Sequence, residues 1–270
     1  MKVTNYFSED NRVFVSFGGK CPFQCLHCYT FSQNFKTEDF FSIKDIISNL
    51  KRKDKFDIIY VSGYKENFEN PNDGLDLVEA LFSEFKCHIL FTTRNVFSEE
   101  HISRVSTLNK LMKESNKSLF ACVSISAYNS YRKIEPNNKI PSPDKRIEFL
   151  KQLFDNDIIT FLTLRPIYPN LFIPTQEYLE ILEKSYKFCN AVITSGLCVD
   201  DYIIERLKTF PKDCASKSEI WAYFNMEVRE IDVSKELSEI ETFCKERVLV
   251  FEGSIPAMNH FYNQYKINCR

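Results

Sequence analysis

The sequence predicts an α/β protein: a partial, TIM-like (β/α)6 barrel followed by a C-terminal α-rich extension. After residue 10, short runs of β-branched and aromatic residues alternate with longer amphipathic segments, which is typical of repeated βα units. The 270 residues suffice for one barrel-sized unit, and no low-complexity linker divides them. We therefore expect the barrel over residues 10–200 and an extension over 201–270 that closes it.

Each strand and helix of this alternation follows from its local residue pattern. Apolar and β-branched runs predict strands at 12–18, 56–63, 86–93, 118–128, 157–169 and 190–196. One-sided apolar spacing predicts helices at 37–53, 74–85, 97–115, 142–156 and 175–188. Thr37 is expected to cap the first of these helices, and Ser142-Pro143 the fourth.

The region 201–270 has a less regular pattern. Residues 214–228 and 234–248 are interpreted as helices, and a closing helix is expected at 255–266. Residues 248–253 are a candidate for one more strand. The extension is therefore expected to be mainly helical.

Composition and charge bear on the class of function. The net charge of −2 argues against a strong overall positive field that would hold polyanions. The N-terminal residues lack the apolar core of a signal peptide, and no stretch reaches the roughly 18 apolar residues of a membrane span, so we expect a cytoplasmic protein. Because that compartment keeps thiols reduced, the ten cysteines are poorly explained by disulfides, and some of them are expected to bind metal.

Three cysteines crowd into the segment FGGKCPFQCLHCYTF, directly after the first predicted strand. Cys21, Cys25 and Cys28 would therefore lie at the carboxyl end of the sheet, where barrel enzymes build their active sites. A cubane of four irons takes four ligands, so three thiolates from one short loop leave one iron open to a ligand from outside. Gly18 and Gly19 allow the chain to turn sharply as it leaves the strand.

Two other interpretations of this segment remain open. The pair Cys25 and Cys28 has the C-x-x-C spacing of a zinc site, and His27 is a conceivable further ligand, although sharing one tetrahedron with the adjacent Cys28 would be strained. The thiols could also be incidental. The alternative class of function is a non-catalytic protein. In such a protein the three cysteines and one of the distant cysteines would hold zinc or a closed cluster for structure.

The segment resembles the signature of the radical S-adenosylmethionine (SAM) enzymes, C-x-x-x-C-x-aromatic-C after the first strand of a partial barrel. Cys21, Cys25 and Cys28 match its three ligands of a [4Fe-4S] cluster, and His27 stands where an aromatic residue usually borders the adenine. The resemblance implies that SAM chelates the open iron and that the reduced cluster cleaves it to methionine and a 5′-deoxyadenosyl radical, which abstracts hydrogen from a substrate. It also implies a reductant such as flavodoxin or ferredoxin.

A second part of the resemblance follows the second strand. Ser62, Gly63 and Glu66 are spaced as in the family's G-G-E motif, whose backbone contacts the amino group of SAM. Tyr64 and Lys65 replace the later glycines of that motif. A plain turn at the end of a buried strand is the alternative explanation.

Polar residues at the ends of strands four and five are further candidates. Ser124 and Ser126 alternate with apolar neighbours, so both hydroxyls should point to one side of the strand, where the family contacts the ribose or carboxylate of SAM. Arg132 is a candidate for the same role, and Arg165 for binding a substrate anion or the SAM carboxylate. A solvated loop arginine and a charge on the barrel rim are the respective alternatives.

A weaker likeness concerns radical SAM proteins of the spore photoproduct lyase type. It rests on an L-E-P-like element, an arginine on the next helix and a strand end with two prolines, here Ile134, Glu135, Pro136, Arg146, Pro166 and Pro169. A nucleic-acid lesion as substrate is the alternative that this likeness offers, and it depends on fold-level analogy.

The other cysteines show no paired spacing. Cys87 and Cys122 are expected to be buried in strands, and the later cysteines to be scattered thiols rather than ligands of a second cluster. Cys198 follows the sixth strand and is a candidate hydrogen donor to a substrate radical. No feature identifies the substrate, so a small molecule, a peptide and a nucleic acid all remain open.

Overall fold

A sheet of eight strands forms the framework of the protein. The computed structural model describes residues 6–9, 11–31, 40–52, 55–61, 65–211, 214, 216–221 and 226–268. In chain order the described strands are β1 Tyr6–Glu9, β2 Arg12–Val15, β3 Ile58–Val61, β4 His88–Thr93, β5 Leu119–Ser124, β6 Ile159–Ile167, β7 Ala191–Gly196, β8 Cys198–Val199, β9 Ser216–Trp221, β10 Met226–Ile231 and β11 Leu249–Glu252. The large sheet has the order β1-β2-β3-β4-β5-β6-β7-β11.

Seven strands of this sheet are parallel, as the βα rhythm predicts. Only β1 is antiparallel to its neighbour β2, and every later pair along the sheet is parallel. Because β1 and β11 form the two edges, the sheet stays open within the described chain. The predicted α/β partial barrel is confirmed, and the seventh parallel strand is β11, the candidate strand of the C-terminal region.

The described helices mostly connect one strand to the next, and the final helix follows the last strand. They are α1 Ile43–Leu50, α2 Pro71–Phe85, α3 Glu99–Glu114, α4 Tyr131–Ile134, α5 Pro143–Asp155, α6 Thr175–Ser185, α7 Asp201–Arg206, α8 Ser234–Cys244 and α9 Ser254–Asn268. Helix α5 begins as predicted, with the Ser142 hydroxyl accepting from the Lys145 amide. Thr37 lies outside the described residues, and α1 begins after Ser42. No helix in the described segments has the length and apolar character that a membrane crossing requires.

The prediction of a helix at 214–228 is wrong. This segment contributes β9 and the first residues of β10, which pair antiparallel, and β10 also pairs with the short β8. The three strands form a second small sheet of order β8-β10-β9. Over so short a segment, the apolar and aromatic residues are compatible with both the helix and the strand period. Pairing with other strands then determines that the segment is extended.

The two faces of the large sheet have different coverings. Alternate strand residues such as Val61, Phe91 and Val123 belong to the main core that includes residues of α1–α3 and α5–α8; we call this the outer face. The residues next to them in the chain, Tyr60, Leu90 and Cys122, point to the opposite, inner face, where a separate apolar cluster forms. The alternation therefore assigns each polar strand-end residue to one face.

Helix α9 covers part of the inner face. After Gly253, which has a φ of +80°, the chain turns back and packs Ala257 and Met258 into the inner cluster. The Tyr262 hydroxyl donates to the Asp57 carboxylate at 2.9 Å, next to the start of β3. Helix α9 thus fills the inner face toward the strand starts and leaves the carboxyl ends for a site.

Candidate metal centre at the carboxyl end of the sheet

The three candidate ligands lie together in the loop that follows β2, residues 16–31, called here the cysteine loop. Cys21 and Cys28 pack against a small buried cluster of Phe23, Cys25 and Ile140. Within the described chain, no fourth cysteine joins this cluster. Gly18 and Gly19 have φ values of +72° and +71°, so the turn after β2 uses the backbone region that favours glycine.

Hydrogen bonds reach two of the three sulfur atoms. The Glu66 amide donates to Cys21 Sγ at 3.4 Å, and Cys28 Sγ lies 3.0 Å from Thr30 Oγ1. The Cys28 amide donates to the Cys25 carbonyl at 3.1 Å, which closes a turn between two of the candidate ligands. Burial raises the pKa of Cys21 and of Cys25, so these thiols are protonated in the metal-free protein and metal binding releases protons.

Glu66 ties the cysteine loop to the end of β4. Its carboxylate accepts from Thr93 Oγ1 at 2.8 Å, from the Arg94 amide at 2.7 Å and from the Phe68 amide at 3.1 Å. Burial raises the pKa of Glu66, and these donors act in the opposite direction. The buried carboxylate therefore has three protein donors, while the backbone amide of Glu66 binds Cys21.

Asn67 holds the other side of the same loop. Its Oδ1 accepts from Ser16 Oγ at 3.0 Å and from the Phe17 amide at 3.1 Å, at the point where β2 passes into the cysteine loop. Ser62 and Gly63, the other predicted members of the SAM-binding turn, lie outside the described residues. Their role stays a prediction.

A buried ionic network lies behind the cysteine loop. Glu135 accepts from Arg146 Nη2 at 2.7 Å and from Arg94 Nε at 2.9 Å, and the Glu135 and Arg146 side chains are both 0% exposed. Arg146 Nη1 also donates to the Ser124 carbonyl at 2.7 Å. Burial raises the pKa of Glu135, but Arg146 and then Arg94 outweigh it and lower the pKa overall. Glu135 and Arg146 are two residues of the lyase-like pattern, and their presence together is explained by this buried ion pair.

His27 links this network to the cysteine loop. Its Nε2 lies 3.4 Å from Arg94 Nη2, and its ring meets the edge of Tyr168 with centroids 5.9 Å apart. Burial, followed by the charge of Arg94, lowers the pKa of His27 to about 3. The imidazole is therefore neutral at physiological pH, and Nδ1 is buried with no partner in the described structure.

We expect His27 to make the metal-free protein less stable in mild acid. His27 takes up a proton near pH 6.5 in the unfolded chain but only near pH 3 in the folded protein. The free energy of unfolding is therefore highest above pH 6.5 and falls as the pH decreases toward 3. The loss should be about 3 kcal/mol by pH 4, which lies some 2.5 pH units below the unfolded pKa and still above the folded one. Urea unfolding of parent and His27→Phe at several pH values measures it; equal pH slopes in the two proteins would contradict it.

Polar residues continue the inner face above the apolar cluster. The Ser126 hydroxyl donates to the Arg165 carbonyl at 2.5 Å, and Arg165 Nε donates to Ser195 Oγ at 2.8 Å. Burial lowers the pKa of Arg165, since a desolvated guanidinium has lost part of its hydration. Ser124 and Ser126 share this side of the strand, because the alternating neighbours belong to the outer core. The contacts of these residues with SAM stay predictions.

Two other candidates occupy different surroundings. Arg132 donates to the carbonyls of Asn137, Glu135 and Ile140, so it fixes the loop that packs beneath the cysteine loop. Cys198 begins β8, opposite Glu230 of β10. Neither residue's predicted role in SAM binding or hydrogen transfer is tested by these contacts.

Sequence reasoning missed three residues of this site. Arg94 directly follows β4, and the rule applied to the other strand ends would have identified it. Asn67 follows Glu66 and was hidden in the turn motif. Arg206, on α7, donates from Nη2 to the Cys25 carbonyl at 3.0 Å across a separation of 181 residues, which no local pattern signals.

The surroundings of the cysteine loop fit a bound polar group. His27 Nδ1, Asn67 Nδ2 and Arg206 Nη1 are buried without partners among the described residues, although buried donors are nearly always satisfied. In the same part of the chain, no three His, Cys, Asp or Glu side chains are arranged around a single metal ion. A mononuclear zinc site needs such convergence, whereas a cubane takes each thiolate on a different iron. The three thiols of one loop, with no fourth cysteine in the described cluster, match the ligand set of a cubane that leaves one iron open.

Solved structures of radical SAM enzymes share this fold. SuiB of Streptococcus suis bound to S-adenosylmethionine aligns with a TM-score of 0.60 and 11% identity over 90% of this chain and 50% of SuiB. SuiB bound to its precursor peptide SuiA gives 0.60 and 13% over 92% and 50%. A radical SAM methyltransferase from Sphaerobacter thermophilus gives 0.58 and 12% over 92% of this chain and 68% of the enzyme.

These comparisons define the fold of the chain. Its architecture is that of the radical SAM enzymes, as the resemblance of the cysteine motif predicted. The chain spans about half the length of SuiB, 50% of that protein. No protein-family profile and no curated protein matches the sequence.

Proposed function

We propose that the protein is a radical SAM enzyme with a [4Fe-4S] cluster held by Cys21, Cys25 and Cys28. The observation that carries this proposal is their meeting in one loop at the carboxyl end of a radical SAM fold, without a fourth cysteine in the described part of the cluster. Three thiolates leave one iron for the amino and carboxylate groups of SAM. When bound, the cluster would supply the electron that cleaves SAM to methionine and the 5′-deoxyadenosyl radical.

The chain's own residues would bind and orient the cofactor. The backbone at Ser62, Gly63 and Glu66 is proposed to hold the amino group of SAM, and His27 to border the adenine. Ser124, Ser126 and Arg165 on the inner face are the candidates for fixing the ribose and carboxylate of SAM. Arg132, which is bonded to the loop beneath the cysteine loop, is a further candidate for the same role. Helix α9 would exclude water from the strand-start side of the inner face, which would protect a reactive radical from side reactions.

The substrate would meet the radical beside these residues. Cys198 is proposed as a hydrogen donor to the substrate radical, and its place shortly after the end of β7, at the carboxyl end of the sheet, supports this role. SuiB has been solved with a precursor peptide, which keeps a peptide among the candidate substrates, together with a small molecule and a nucleic acid. A flavodoxin or ferredoxin in the cytoplasm would supply the electron.

Neither alternative function has a specific observation in its favour. Glu135 and Arg146, on which the spore photoproduct lyase likeness depends, are engaged with each other inside the protein and contain no information on a nucleic-acid substrate. The non-catalytic zinc protein would need ligands that converge on one ion, and the described residues contain no such group.

The proposal is tested on the anaerobically reconstituted protein. We expect about four irons and four sulfides per chain, a brown iron–sulfur absorption, and release of 5′-deoxyadenosine with dithionite and SAM. Omitting dithionite should stop the release, which separates reductive cleavage from hydrolysis. A colourless protein with one zinc per chain would overturn the proposal, as would a cluster whose four irons all have ligands from this chain.

A further inference from the structure

Arg206 connects the C-terminal part of the chain to the cysteine loop. From α7, its Nη2 donates to the carbonyls of Cys25 at 3.0 Å and Gln24 at 3.4 Å. Its guanidinium also lies over the ring of Phe31, 4.7 Å from the centroid, where a cation is attracted by the aromatic face. One side chain therefore contacts both the middle and the end of the cysteine loop.

The carbonyl that Arg206 binds belongs to the turn between two candidate ligands. The same Cys25 oxygen accepts from the Cys28 amide at 3.1 Å, so the turn and the arginine share one acceptor. Gln24, just before it, has a φ of +51°, which is unfavourable for a residue with a side chain. A fixed donor at these two carbonyls stabilises this backbone conformation and with it the separation of the Cys25 and Cys28 sulfurs.

The other terminal nitrogen of Arg206 has no acceptor among the residues that the structure describes. Nη1 is buried and unpartnered in the described structure, while Nη2 on the same planar group is bound to the cysteine loop. A guanidinium keeps its charge when buried, so an unused donor of this kind suits an anionic acceptor. Thiolates and the sulfides of a cluster are such acceptors.

We propose that Arg206 is a positioning residue of the metal centre. Nη2 holds the turn between Cys25 and Cys28, and Nη1 donates to a sulfur atom of the loaded site. The assignment rests on the proposed [4Fe-4S] cluster and adds a role for the C-terminal region. Because a positive charge stabilises the more negative reduced cluster, Arg206 also raises the midpoint potential.

Three variants test this assignment on the full chain. Arg206→Gln removes the charge and the two-nitrogen fork; Arg206→Lys keeps the charge but cannot reach both acceptors in the same geometry. Arg229→Gln is the matched control, because Arg229 binds Asp201 at the opposite end of α7, with 43% of its side chain exposed. Circular dichroism of the metal-free proteins establishes that each variant is folded.

The first readout is the cluster itself. For Arg206→Gln we expect about 10–100-fold weaker iron retention in a chelator titration and a lower midpoint potential by EPR-monitored reduction. Arg206→Lys should lose iron retention but keep a potential near the parent value, and Arg229→Gln should match the parent in both. Parent-like retention and potential in Arg206→Gln would overturn the assignment.

The second readout needs no cluster. In metal-free protein, alkylation of Cys25 followed by mass spectrometry should be several-fold faster in Arg206→Gln than in the parent and Arg229→Gln, because the loop is no longer fixed. Unchanged alkylation would overturn the positioning role. If the parent binds no cluster but the alkylation rates differ as expected, the proposed function fails while Arg206 still positions the loop.

Discussion

Replacing Cys25 with alanine is expected to abolish both cluster retention and the release of 5′-deoxyadenosine. Cys25 is the most buried of the three candidate ligands, 5% exposed, and a cluster with two thiolates in an open loop has too few protein bonds to persist. The rate of release should fall by more than about 100-fold, which exceeds the effect typical of losing a residue that only hydrogen-bonds a metal ligand. Iron analysis and product quantification on the reconstituted variant measure both quantities.

The matched control for this experiment is Cys87→Ala. Cys87 is also buried, but it lies just before β4 in the outer core and its sulfur is near the carbonyls of Phe56 and Phe85. This variant should keep parent-like iron content and activity, with only a modest loss of stability. Full activity in Cys25→Ala would show that Cys25 is not a ligand.

Glu135→Gln is expected to cause the largest loss of stability in the metal-free protein. Glu135 lies between Arg94 and Arg146, and removing its charge leaves the 0% exposed Arg146 guanidinium without compensation. Breaking a buried ion pair in this way typically costs about 3–5 kcal/mol, a large part of the total stability of a domain. Urea unfolding followed by circular dichroism measures the free-energy change.

Two controls show whether the loss of stability in Glu135→Gln comes from the buried ionic network: a variant of an exposed ion pair and a double variant. Asp155→Asn removes the exposed partner of Lys151 and should destabilise the protein far less than Glu135→Gln, because water screens this pair. In Glu135→Gln combined with Arg146→Met, the losses should be clearly less than additive, because the uncompensated charge is gone. A Glu135→Gln cost no larger than that of Asp155→Asn would refute a stabilising role for the network.

The strands of the sheet were predictable because their pattern is local. The parallel strands β2 to β7 are largely buried on both faces and rich in apolar residues, and the predicted runs contain all of them. The predicted runs are longer than the strands, since apolar residues such as Phe17 and Ile125 continue into the buried strand ends. Sequence alone cannot show where ladder hydrogen bonds stop.

The hairpin of β9 and β10 was mistaken for a helix for the opposite reason. Its strands are stabilised by pairing with each other and with β8, which lies before α7 in the chain. Such pairing depends on how the region folds back onto itself. Neither propensity nor periodicity over a short segment encodes it.

In the candidate site, too, the residues in a local sequence pattern were predictable and those brought together from distant segments were not. The spacing of Cys21, Cys25 and Cys28 is local and was visible at once, whereas the arginines around them come from other parts of the chain. Arg94 could have been inferred from its place at a strand end. Arg206 could not, because its contact with the cysteine loop depends on the path of the C-terminal region.

Helix α9 covers the inner face of the sheet toward the strand starts in the described structure, with Met258 in the inner cluster and Tyr262 bonded to Asp57. We therefore expect cofactor and substrate to reach the inner face from the carboxyl ends of the strands, where the cysteine loop lies. If both arrive from that end, the molecule bound deeper can leave only after the other has moved, so the order of binding would set the order of release.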